Sequence, residues 1–290
     1  MRKLAILGAA ALALAGIALG AVGAAMAGRD PFVPLPEVHI APAVIFSIGG
    51  FGVTNSLLSA WLTCLVVIAL FGLGTRRMAL VPGRFQAFLE VLVEFLYGFI
   101  RNVAGEKYAR RFFPILATIF IFVAFNAWMA LLPIYPTVGF KAEGSEHVTT
   151  HLLRSAGTDI NMPLALAIIS FIFVETWGFK AHKLGYMKEF IRPGGIQTFV
   201  GVLELLSHFI RLVSFTFRLF GNMLAGELVL FMMTYLLVFL SPVVFYFLEL
   251  LVGGVQALIF MGLTVVFAAS AVAEHAGGHH DEEHAEAAAH

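Results

Sequence analysis

The sequence is short of charge. Of its 290 residues only 12% are Asp, Glu, Lys or Arg, against about 25% in an average soluble domain. Acidic and basic residues balance at a formal net charge of zero, so there is no basic footprint for nucleic acid. There is one cysteine, Cys64. It excludes an internal disulfide, has no metal-ligand spacing around it, and reads as a small lipid- or core-facing residue. No HExxH and no Ser/His/Asp constellation is present, and the 10 histidines lie mostly in loops and at the end of the chain, which argues against an intramembrane hydrolase. No internal repeat is visible, which argues against a free-standing secondary transporter with Arg218 as an anion site. What the chain has instead is apolar residues, 60% of the total, in several long runs, with a mean hydropathy of +0.92. That combination marks an integral membrane protein.

Residues 1–27 place Arg2 and Lys3 before an Ala/Leu/Gly run that closes at Ala25-Met26-Ala27. This is the pattern of a secretory signal with a small-x-small cleavage site, or equally of a first membrane helix. Either way residues 28–50 fall on the outer side. Runs of spanning length follow near Val53–Leu73, Phe112–Leu132 and Pro163–Phe179, and two longer ones near Ile196–Leu240 and Pro242–Ala273. The segment from Pro82 to Val103 differs. Phe85, Phe88, Leu89, Val91, Leu92, Phe95, Leu96 and Phe99 recur at three and four among Arg84, Gln86, Glu90, Glu94 and Arg101, a stripe that predicts a helix lying in the membrane surface. Ser241-Pro242 reads as the N-cap and first position of the last helix.

Basic residues in the short loops set the orientation. The 74–111 loop carries Arg76, Arg77, Arg84, Arg101, Lys107, Arg110 and Arg111, and the 180–192 loop carries Lys180, Lys183, Lys188 and Arg192. The 134–161 loop has only Lys141 and Arg154. The two basic loops are therefore expected in the cytoplasm, with the C-terminus. The predicted fold class is all-α integral membrane protein: spanning helices, an in-plane amphipathic helix and a long, strongly tilted C-terminal helix hairpin. Tilt follows from length, since a helix of about 40 residues is about 60 Å long and a perpendicular span needs about 20 residues. The expected organisation is 1–27 signal-like or first helix, 28–275 membrane domain, and 276–290 a polar His/Glu-rich cytoplasmic tail.

Polar residues interrupt the last two runs. At 100° per residue, Ser207, Arg211, Ser214, Arg218 and Asn222 share one stripe. Glu227 points nearly opposite Arg218, and Glu249 and Gln256 share a face of the final helix. In an antiparallel hairpin, Arg218 with Gln256 and Glu227 with Glu249 agree on one register, with a turn near 238–241. An Arg at mid-membrane costs about 2.5–3.5 kcal/mol on insertion scales and is functional by default. Its guanidinium stays charged, whereas Glu227 and Glu249 can take and release protons. Simpler readings remain for each: an Arg–Glu pair for Arg218, an outer-surface position for Glu249, and helix packing for Gly221, Gly226, Gly253 and Gly254.

Phe217-Arg218-Leu219-Phe220-Gly221-Asn222-Met223-Leu224-Ala225-Gly226-Glu227 resembles the signature of subunit a of the F-type ATP synthase. Val255-Gln256-Ala257-Leu258-Ile259-Phe260 with Leu263-Thr264 is similar to that family's last helix, Asp159-Ile160-Asn161 to its D-x-N element, and Leu131-Leu132-Pro133 to the end of its third helix. The resemblance covers about residues 50–275. It implies a proton-translocating stator subunit, itself no catalyst and without a cofactor or bound metal, in a bacterial cell membrane. Its partners would be the c-subunit ring, the b-type peripheral stalk, the other F-type subunits and the lipid bilayer. Arg218 would separate two aqueous half-channels, with Asn222, Glu227, Glu249 and Gln256 on the outer path. Ser207, His208, Arg211 and Ser214 are candidates for the cytoplasmic approach, and Asp159, Asn161 and Glu175 for channel lining. Glu175 belongs either to the outer half-channel or to a pair with a nearby lysine. Many members of the family have an asparagine six residues before the proline of the third helix; here Ala127 stands there, with Asn126 beside it. The coupling ion is left open, protons being favoured over sodium.

Overall fold

The structure, a computed structural model, describes residues 41–76, 78–140, 150–182, 195–236 and 241–273. The signal-like segment 1–27, residues 28–40, most of the polar outer loop (141–149), the basic loop from 183 to 194, the turn expected near 238–241 up to residue 240, and the tail 276–290 lie outside them.

The described residues are mostly helical. A hairpin of β1 (Val44–Ile48) and β2 (Phe51–Thr54) precedes α1 (Asn55–Thr75), then come α2 (Arg84–Ala104), α3 (Glu106–Ala130) and the short α4 (Ile134–Thr137). A two-residue pairing of β3 (Gly139–Phe140) with β4 (Thr150–His151) and a 3-10 turn (Ala156–Thr158) lead to α5 (Asn161–His182), α6 (Gly195–Leu236) and α7 (Ser241–Ala273). The two small antiparallel pairs were not foreseen. The first has a local cause: Ile48 pairs with Phe51 across Gly49-Gly50, whose φ values are 57° and 89°, and a two-residue hairpin turn that matches strand twist needs positive φ at both positions. α1 then starts under a cap, with the Thr54 hydroxyl accepting the Leu57 amide at 3.3 Å.

Five helices are long and apolar enough to cross a membrane: Asn55–Thr75, Glu106–Ala130, Asn161–Ala181, Gly201–Thr234 and Val243–Ala273. α1 leaves Trp61, Leu65, Ile68 and Leu73 exposed, and α7 leaves Val243, Phe247 and Leu251 exposed, a surface suited to lipid rather than water. The chain is a multi-pass membrane protein. The stripe-bearing segment is the 21-residue α2, and it is joined to α3 through Gly105 alone, whose φ is 75°. The basic 74–111 stretch is thus mostly helix. α6 and α7 have 42 and 33 residues, so α6 alone extends about 60 Å.

The residues divide into two compact units. The first joins the hairpin and the start of α1 to 126–159 and to the stretches 220–256 of α6 and α7. Here Gly253 packs on the end of α3, where a Cβ would fall 2.8 Å from that of Ala127, and the Trp128 indole donates to the Leu250 carbonyl at 2.9 Å. The second joins the rest of α1, α2, most of α3 and α5 to 195–219 of α6 and 257–273 of α7. Its interior is aromatic: the Phe112 ring meets Phe173 at 5.3 Å and Trp177 at 5.1 Å, and Phe215 meets Phe260 at 5.1 Å. With lipid as apolar as any side chain, this close packing and buried hydrogen bonds such as Ser170–Thr264, 2.8 Å, hold the helices together.

Candidate functional site

In the first unit polar side chains gather around Glu227. The 3-10 turn comes close to α6 because Gly157 has no side chain: a Cβ there would fall 2.6 Å from Met223 Cγ. That approach sets the Thr158 hydroxyl beside the Glu227 carboxylate and Arg154 Nε 3.9 Å from its Oε2. Glu227 Oε2 itself is buried and takes no hydrogen bond. Arg154 is anchored: its backbone amide donates to Ser59 Oγ at 3.0 Å and its guanidinium to the Ala41 carbonyl at 3.3 Å. Next to it, Ser56 donates to Asp159 Oδ2 at 2.6 Å and Asn55 donates to the His151 carbonyl at 3.3 Å. On α7, the Glu249 carboxylate lies over Gly226, in the space a Cβ at that position would fill. Glu249 thus lies level with Gly226, one residue from the Glu227–Glu249 register expected of an antiparallel pair.

The same unit holds further buried polar atoms with no hydrogen-bond partner: both side-chain amide atoms of Asn126, Nδ2 of Asn222 and Nε2 of Gln256. An unpaired amide costs about 1–3 kcal/mol when kept dry, and groups of this kind are ordinarily satisfied by ordered water.

The second unit holds the basic stripe. Arg218 donates to Ser214 Oγ at a long 3.4 Å and has its guanidinium carbon 5.8 Å from the Phe215 ring centroid. Among the described residues no carboxylate pairs with Arg218. Arg211 lies over Phe267, 4.3 Å from the ring centroid. Glu175 of α5 meets His208 Nδ1 of α6 at 2.6 Å. The Lys180 ammonium lies 4.9 Å over the Trp177 ring, and Lys183 and Lys188 lie outside the described residues. Ser207 spends its hydroxyl on the Leu203 carbonyl of its own helix, 3.0 Å. Asn161 opens α5.

The structure thus brings Asp159, Asn222, Glu227, Glu249 and Gln256 into one unit and Glu175, Ser207, His208, Arg211, Ser214 and Arg218 into the other. Sequence reasoning missed Arg154, Ser56 and Thr158 and left Asn126 without a role. Arg154 had one signal, a cation in an outer loop that otherwise holds only Lys141. The other two had none, being ordinary hydroxyls until the fold pairs them.

Residues 57–269 match the family described as ATP synthase A chain. The chain belongs to that family. It is 34% identical over 253 residues to ATP synthase subunit a of Gloeobacter violaceus, covering 87% of this chain and 97% of that one. It is 35% identical over 222 residues to the subunit a of Desulfosudis oleivorans, covering 76% and 88%. To that of Cereibacter sphaeroides it is 34% identical over 235 residues, covering 77% and 83%. As a subunit a it is a membrane component of the F-type complex and makes no ATP by itself.

Proposed function

We propose that the polar residues of the first unit form the outer half-channel of a proton-translocating stator subunit, and that Arg218 is its electrostatic gate. The observation that carries this is the collection of buried, unpartnered polar atoms of Asn126, Asn222, Glu227 and Gln256 in one unit. Such groups call for water, and a file of water between carboxyls conducts protons. A proton arriving from outside passes by Glu227 and Glu249 to a carboxylate on a neighbouring c-subunit ring, and neutral, that carboxylate can turn into lipid. A returning carboxylate releases its proton towards the cytoplasm by way of the stripe of Ser207, His208, Arg211 and Ser214, with Glu175 on the same side as His208. A guanidinium is a permanent cation, so Arg218 attracts the ionised carboxylate and stops protons running from one path to the other. One charge crossing 100 mV yields about 2.3 kcal/mol, work a leak would waste.

The chain spans a bacterial cell membrane with α2 in the cytoplasmic surface and the C-terminus inside, beside the c ring and a b-type peripheral stalk. Aqueous accessibility tests the outer path. In a Cys64→Ser background, cysteines at Asn126, Asn222 and Gln256 should react with a water-soluble thiol reagent, and the reaction should block ATP-driven proton pumping by the complex. Reactivity no greater than that of a cysteine at lipid-facing Leu251 would contradict the hydrated path.

A further inference from the structure

We infer that Arg154 is a cation filter on the outer path: a fixed positive charge held against Glu227 that keeps alkali cations off that carboxylate while protons reach it. The inference rests on the outer half-channel proposed above.

A carboxylate among hydroxyls and carbonyls is the ligand set that hard cations take. The first unit supplies such a set, with Glu227 beside the Thr158 hydroxyl, Thr158 bonded to the Ser155 carbonyl at 2.8 Å, and Asp159 close by in its bond to Ser56. What spoils it for a metal ion is Arg154. Its Nε is 3.9 Å from Glu227 Oε2, too far for a hydrogen bond but close enough for strong Coulomb interaction. Both side chains are mostly buried, which limits screening by salt. The guanidinium is tied at its own backbone to Ser59 and at its tip to the Ala41 carbonyl, so it does not simply swing aside. A guanidinium is a permanent cation, so it acts as charge and not as a relay.

The two kinds of cation meet this charge differently. The guanidinium's charge acts against both, but a proton ends as an O–H bond on the buried, hydrogen-bond-free Oε2 atom and needs no cavity. A sodium ion stays an ion. It requires several oxygen ligands at once, and it must keep its charge within a few ångströms of the guanidinium. Selectivity for protons is therefore set in part on this chain, before any ion reaches the ring.

The test uses the whole complex in liposomes, with ATP synthesis driven by an imposed proton gradient and sodium chloride varied on the outer side against choline chloride at constant ionic strength. Wild type should be insensitive to sodium, and Arg154→Lys should stay so. Arg154→Gln should be inhibited by sodium at a concentration at least ~10-fold lower than any that affects wild type, the factor that ~1.4 kcal/mol of lost repulsion gives. Arg154→Met, which keeps the apolar stem, carries the same expectation and is read if Arg154→Gln fails to assemble. Sodium sensitivity in wild type overturns the filter, as does insensitivity in the neutral variants, or in Arg154→Lys a sensitivity equal to theirs. A wild-type complex that makes no ATP from the gradient overturns the outer half-channel itself, which is a distinguishable result.

Discussion

Glu249 owes its place to a missing methyl group. Its carboxylate fills the space over Gly226, and Gly226 neighbours Glu227 in sequence. Gly226→Ala must push the Glu249 carboxylate away. The displaced group is the far end of a flexible side chain, so the complex should assemble and keep its thermal stability. ATP-driven proton pumping, followed by a pH-sensitive dye in vesicles, should fall several-fold; pumping at the wild-type rate would show that Glu249 needs no fixed position. At this scale the charged residues were legible in the sequence. Arg218, Glu227 and Glu249 stand out because a charge in an apolar run is costly. Ser56, Arg154 and Thr158 were not legible, because their meaning lies in contacts that cross long stretches of chain: Ser56 with Asp159 is a separation of 103 residues, and no periodicity encodes it.

Individual close contacts tie pairs of helices together. Gly253 admits the end of α3, so Gly253→Leu should overpack the first unit, costing about 1–3 kcal/mol and lowering the temperature at which the detergent-solubilised complex loses this subunit; an unchanged transition would place that approach elsewhere. In the second unit Glu175 and His208 tie α5 to α6. Replacing either by Gln removes this 2.6 Å contact from the other, so each single variant should slow proton pumping. The double variant should be no slower than the worse single one, because the coupled interaction is lost only once. Additive losses would mean that the two residues act independently. Helix positions followed from apolar run length and the three-four stripe. α3 nevertheless starts at Glu106, six residues before the apolar run, because Gly105 ends α2 and lets α3 begin at once through charged residues. The Gly49-Gly50 hairpin was visible only as two glycines in an outer stretch, since a two-residue turn leaves no mark beyond its own residues.

For the whole chain, orientation rests on basic residues in loops, a signal the sequence carries openly. In a Cys64→Ser background, a cysteine replacing His151 should label with a membrane-impermeant maleimide from the outer face of sealed vesicles, and one replacing Arg84 only in inverted vesicles. The reverse pattern would turn the outer and cytoplasmic paths around. The division into two units was not legible, since it cuts α6 and α7 within single apolar runs. It gathers Glu227, Glu249 and the unpartnered amides of Asn126, Asn222 and Gln256 in one unit and the cations of the α6 stripe in the other. Arg218 has no carboxylate partner among the described residues, and its proposed role is that of a fixed charge that a partner's carboxylates meet in turn. The most direct measurement is on Arg218→Ala, with the assembled complex in sealed vesicles under an imposed proton gradient. ATP synthesis should be abolished and the gradient should decay faster than in wild type. Synthesis at the wild-type rate with an intact gradient would contradict the role assigned to Arg218.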